Sequence, residues 1–245
     1  MKKKKNKKSQ VTFFIILGIM ILFIFVILFT YISSFSDINI FKKSPVGIYV
    51  EECLFLTTSR ALTLLGIQGG YINPDPYYNF SNISIDIAYH EDTNSLVKID
   101  EFEDELKFFI DNYLNDCLND FDHFVNLGYN FELGKPNSKI IITNKNIIVD
   151  LNYKISYYLD DNTKKYRIED FRTTVPIRIN KILDAGNEII EINKNNNGYI
   201  NMTHLTELDF NVDVITEDNV HIYVIEDEKS IIFFNPYKFF FVFVN

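Results

Sequence analysis

The residues of this chain that could do chemistry are four histidines, two cysteines and a dense set of carboxylates. His90, His123, His204 and His221 show no H-x-x-x-H or H-E-x-x-H spacing, so the helix-borne zinc site of a metalloprotease is not spelled out. His204 and Glu207 stand at i and i+3 in "MTHLTEL", where one helical turn could aim both at a shared ligand. One such pair arises readily by chance and defines no metal site. No G-x-S-x-G marks a nucleophile elbow. Glu101, Glu103, Asp104 and Glu105 crowd the head of a helix, where the helix dipole is reason enough for them. A glycosidase needs two acids converging from separate elements, and no pair here is marked out for that. No catalytic residue, metal ligand or cofactor is assigned.

The glycines of "LLGIQGGYINPDPYYNF" raise phosphate binding and then exclude it. A phosphate loop precedes a helix, so that backbone N–H groups face the anion. Gly66, Gly69 and Gly70 follow a helix instead, where the exposed carbonyls carry the wrong sign. Glycine there relieves a left-handed cap, and "NPDP" continues the turn. Tyr71, Tyr77 and Tyr78, with Phe80, could form an aromatic lip for a partner, although strand and loop aromatics are more often partly buried core. N-x-[ST] sequons at Asn79, Asn82 and Asn201 are permissible glycan sites on an outer domain.

These residues are positioned by a chain with an unusual start. Residues 1–10, "MKKKKNKKSQ", hold six lysines and no acid. Residues 11–32, "VTFFIILGIMILFIFVILFTYI", hold no charge and, as a helix, span about 33 Å, enough for a hydrocarbon core of about 30 Å. No A-x-A pattern follows, so the segment reads as a retained transmembrane helix and not a cleaved signal. The lysines place the N-terminus in the cytoplasm as a basic tail and everything beyond a linker at 33–43 outside. Lipid around residues 11–32 is thus one expected partner. Without the six N-terminal lysines, 18 basic residues face 33 acidic ones, a balance of −15 that repels nucleic acid.

The outer part, 44–245, reads as an α+β domain of helices packed on antiparallel sheet, with two subdomains, 44–128 and 129–245, as one possible division. "SPVGIYVEECLFLTTSRALTLLG" is a helix with Ser44 as N-cap and Pro45 at its first position. Its core stripe is Val50, Cys53, Leu54, Thr57, Ala61, Leu64 and Leu65. Tyr77 to Ile99 alternates as a strand to Tyr89, followed by a turn at "HEDTN" and a second short strand. A long helix starts at Asp100, with Glu103 placed for a capping box, and runs to Gly128. Its apolar face includes Phe102, Leu106, Ile110, Tyr113, Cys117 and Phe124. Three strands fill 139–177, a third helix spans "RINKILDAGNEIIEI", and a helical turn lies at "MTHLTEL". "FNVDVIT", "VHIYVIE", "SIIFF" and "YKFFFVFVN" are strands, with turns at "EDN" and "DEK". Cys53 and Cys117 both sit on apolar helix faces. A disulfide between them closes a loop of about 64 residues, worth on the order of 4 kcal/mol in the chain-entropy account. Two buried free thiols are the other reading, and an outer location favours the bridge.

"SQVTFFIILGIMIL" and "ECLFLTTSRALTLLGIQGGYI" resemble a group of uncharacterised archaeal single-pass membrane proteins with a QVTxFIILG-type anchor and an LLGxQGGYI helix end. The resemblance extends through "DCLNDF" at Asp116–Phe121, which suits a Cys53–Cys117 bridge. It implies a location and an architecture and no activity. The N-terminus also resembles archaeal type IV pilin signals at Lys8, Ser9, Gln10 and Thr12, but Phe14 stands where pilins carry the Glu that serves assembly. The expected function is that of a membrane-anchored cell-surface or envelope protein, non-enzymatic and acting by protein contact, with envelope proteins as candidate partners. A pilin-like subunit and an extracytoplasmic hydrolase are the alternatives.

Overall fold

A computed structural model describes residues 20–22, 44–159 and 164–245. Of the expected transmembrane helix, only Met20–Leu22 fall among these, and they are helical and exposed. The rest of the anchor, the basic tail, the pilin-like positions and the linker lie outside the described residues. Among the described residues, no helix is long and apolar enough to cross a membrane.

Helix α1 (Pro45–Ile67) begins where Pro45 predicts. Its sequence is apolar almost all round, as befits a helix with neighbours on several sides. It packs on helix α2 (Ile99–Leu118) and on strands of both sheets. Cys53 of α1 and Cys117 of α2 stand at disulfide distance, Cα–Cα 5.6 Å. The end of α1 explains its glycines. Gly70 N–H donates to the Leu65 carbonyl across Gly69, whose φ is +81, closing the helix in a left-handed cap. Gly66 serves a different need. A Cβ there would lie 2.3 Å from the Lys238 carbonyl oxygen, so only glycine lets the helix approach the strand.

The first sheet runs β1 (Tyr77–Phe80), β2 (Ile83–His90), β10 (Asn235–Val244), β9 (Val220–Ile232), β8 (Asn211–Glu217), with the short β3 (Thr93–Asn94) beside β2. It is mixed, not wholly antiparallel as expected, because β2 and β10 run parallel. Strands from both sides of residue 128 share it, and Pro45–Asn245 forms one unit. Tyr78 on β1 donates to Glu217 on β8 at 2.5 Å, so the sheet curls until its two ends meet. Inside the curl, Ile85, Ile222 and Val242 make a small second core. The second sheet is antiparallel. Long β6 (Ile147–Leu159) pairs with β7 (Tyr166–Val175) on one edge and with β4 (Tyr129–Leu133) and β5 (Asn137–Ile142) end to end on the other. Between the sheets' strands in the chain come helix α4 (Ile179–Asn195), packed on β9 and β10, and the short α5 (Met202–Glu207). Ile179, Ile182, Leu183, Ile189 and Ile190 of α4 are buried, as its periodicity predicts.

Several expectations need correction. The strand read through Tyr77–Tyr89 is a hairpin, because Ser81 and Asn82 both adopt positive φ and reverse the chain. Helix α2 starts at Ile99, and Glu101, not Glu103, accepts the Lys98 N–H, at 3.0 Å. It stops at Leu118, because Asn119, Asp120 and Phe121 have φ of 44, 50 and 59. A short helix, α3 (Asp122–Val125), follows. The buried row of α2 runs Phe102, Leu106, Ile110, Leu114 and Leu118, which leaves Tyr113 off the core face and 44% exposed. The "DEK" turn is a bulge inside continuous β9, where pairing with β10 steps from Asp227 to Ile231. "SIIFF" is not a strand to its end, since Phe233 and Phe234 form the turn into β10.

Candidate contact surface

Among the described residues, three two-residue turns have positive φ at both positions: Ser81–Asn82, Glu91–Asp92 and Phe233–Phe234. The first two hold Asn or Asp, whose short side chains tolerate the left-handed region. The third holds two phenylalanines, at φ 48 and 66. Each costs roughly 1–2 kcal/mol in that conformation, and hairpin turns of this kind prefer Asn-Gly. Asn235 Nδ2 donates to the Phe233 carbonyl at 3.0 Å and helps pin the turn. No burial offsets the cost at Phe234, which is 100% exposed.

The β9–β10 hairpin lies along α1. It is held by the close approach at Gly66, and the Phe233 ring meets Phe55 edge-on at 6.5 Å. The side of α1 left uncovered presents Ile48, Phe55 and Leu56, at 46, 39 and 37% exposure. An open groove of about 500 Å³ runs beside them, bordered by Glu52 and, on β7, by Arg172 and Thr173. Helix and turn together form one apolar patch. Sequence reasoning missed it, and the one local signal lay in the turn. Ile48, Phe55 and Leu56 lie off the core stripe of α1, but so do the buried Val46 and Leu62, whereas Phe233–Phe234 directly precede an Asn-Pro pair.

The aromatic lip does not assemble as one surface. Tyr71 packs against the main core and donates to Glu101 Oε2 at 2.9 Å. Tyr78 packs over the small core and bonds Glu217, and Tyr77 is 53% exposed. Asn79 and Asn82 are exposed on the β1–β2 hairpin. Asn201 is exposed too, and its Oδ1 accepts the His204 N–H at 3.1 Å as the N-cap of α5. His204 turns its Nε2 toward Glu188 of α4, at 3.4 Å, and not toward Glu207.

Two buried ionic features stand apart from the patch. Arg178, just before α4, donates through Nε and Nη2 to Asp227 at 2.9 and 2.6 Å. Ser230 Oγ donates to Asp227 and accepts the Arg178 N–H, and the Lys229 N–H completes the carboxylate's shell. Burial opposes Asp227's charge, but Arg178 and these donors hold its carboxyl below the usual range. Arg178 Nη1 also donates to Asp209 at 3.0 Å, and the network knits the β9 bulge to the start of α4. The second feature is Asp86, 4% exposed, beside the α1 cap. Its N–H donates to the Gln68 carbonyl at 3.1 Å, while its Oδ2 has no hydrogen-bond partner among the described residues. Burial, then the charge of Glu101, push its carboxyl up to about 7. Tyr71 is raised by its own burial and by the bond to Glu101. Among the described residues, no three or more His, Cys, Asp or Glu are grouped to hold a metal ion. The chain matches no family model, no curated protein and no solved structure.

Proposed function

We propose that this is a membrane-anchored cell-surface protein, N-terminus in the cytoplasm and residues 44–245 outside, that works by protein contact and not by catalysis. The observation that carries the reading is the patch of Ile48, Phe55, Leu56, Phe233 and Phe234, with one phenylalanine fully exposed in a costly turn. Strained backbone persists where the surrounding structure imposes it, and it clusters at sites of function. Exposed apolar area of this kind marks contact sites. The Cys53–Cys117 pairing also supports an outer location, since such bridges persist in oxidising compartments. The test places a photo-crosslinking amino acid at position 234 of the full chain and irradiates intact cells. The expected result is a discrete protein adduct, with residues 44–245 digestible by external protease. A protected domain, or no protein adduct, overturns the reading.

A further inference from the structure

We infer that the occupant of this patch is a second copy of the chain, the two α1 helices lying antiparallel about a two-fold axis at Leu56. The inference rests on the patch being a contact site and names its partner. The uncovered side of α1 reads Ile48, Glu52, Phe55, Leu56, Arg60, Thr63, all exposed. Glu52 and Arg60 stand four residues on either side of Leu56. Two such helices laid antiparallel, Leu56 on Leu56, set Glu52 of each copy against Arg60 of the other. Neither residue forms an ion pair with another described residue in the single chain. The face is thus complementary to itself in charge, which is what an isologous interface requires.

Shape and area agree with charge. Phe234 is a fully exposed knob next to Phe233, which meets Phe55, and Phe55 with Ile48 and Leu56 lines an open groove of about 500 Å³. A two-fold axis offers each knob the other copy's groove. Taking about 200 Å² for a large side chain, the five apolar residues expose roughly 500 Å² per copy. A rim of Glu52, Arg60, Thr63 and Arg172 brings the face close to the roughly 800 Å² per partner of a stable complex. An apolar centre with a charged rim is the usual anatomy of such interfaces.

The test is sedimentation equilibrium of the purified full chain in detergent. Wild type is expected to be a dimer by about 100 µM. E52R and R60E each place like charges across the axis and should weaken dimerisation at least about tenfold. The double variant E52R/R60E restores both pairs and should return the affinity to near wild type. F233N/F234G, which removes the knob while easing the turn, should also weaken it without lowering the melting temperature. A dimer indifferent to E52R overturns the two-fold arrangement, including the case where residues 11–32 alone drive association. A chain monomeric at that concentration overturns the inference as well. The contact reading then survives if the position-234 crosslink still yields an adduct with a different protein, and falls if it yields none.

Discussion

Asp86 offers the sharpest thermodynamic prediction. Its side chain is buried against Gly69 at the α1 cap, its Oδ2 lacks a donor among the described residues, and burial, then the charge of Glu101, push its carboxyl from 3.8 up to about 7. At about 1.36 kcal/mol per unit, that displacement corresponds to an upper value of about 4 kcal/mol of folding stability. The sign follows from which state holds the proton. Below pH 3.8 folded and unfolded chains are both protonated at this group, and its contribution is fully present. As pH rises toward 7 the unfolded chain ionises first, so stability is lost across that window. Above 7 both states are ionised and the loss is constant. Asp86→Asn keeps the shape of the protonated side chain and cannot ionise. Urea unfolding of wild type and D86N at pH 5, 6, 7 and 8 measures the difference. D86N should become the more stable protein as pH rises, the gap widening by about 3 kcal/mol between pH 5 and 8. A gap that stays constant with pH would refute the argument that a buried, unpartnered carboxyl is carried here.

Other perturbations test other parts of the fold. Replacing Cys53 and Cys117 with Ala should cost about 4 kcal/mol and lower the melting temperature by on the order of 10 °C, with reductant affecting only wild type. Arg178→Met leaves Asp227, 1% exposed, charged and unpaired; a loss of about 3–5 kcal/mol in urea unfolding is expected. Gly66→Ala drives a methyl into the Lys238 carbonyl and should cost about 1–3 kcal/mol or prevent soluble expression, whereas an unchanged urea midpoint would count against the close helix–strand approach.

How far the sequence led depended on whether local chemistry and tertiary need agreed. Helix α4 and strands β5, β6 and β7 were legible because their periodicity matches the face they bury. The stop after Leu65 was legible because glycine is the usual residue for a left-handed cap. Its second purpose, letting α1 touch β10 and β2, concerns partners far along the chain and left no local trace. The bulge at 228–230 read as a turn because its polar residues look like one, yet Asp227 folds that stretch back into the strand through Ser230 and Lys229. Strand β4 went unread because Gly128 was taken as a helix stop and nothing alternates clearly across five half-exposed residues. The helical part of the contact patch was illegible for a different reason. In a helix apolar nearly all round, no sequence period separates the residues that pack from those that do not.

The case for the patch is strongest where it departs from what the fold needs. α1 has to be apolar toward α2, β7 and β10, and its buried residues, among them Val46, Val50, Leu54, Leu62 and Leu65, meet that need. Nothing in the packing calls for Ile48, Phe55 or Leu56 on the open side. Nor does the β9–β10 hairpin call for phenylalanine, since Asn-Gly would turn the chain at less cost. The two expenses are independent, one of exposed apolar area and one of backbone conformation, yet they meet where Phe233 touches Phe55. A stability rationale would predict the reverse, polar residues on the open helix face and a compliant turn above it. Both costs are recovered together only when another surface covers the patch, and Glu52 and Arg60, without an ion pair among the described residues and evenly spaced about Leu56, describe what that surface carries.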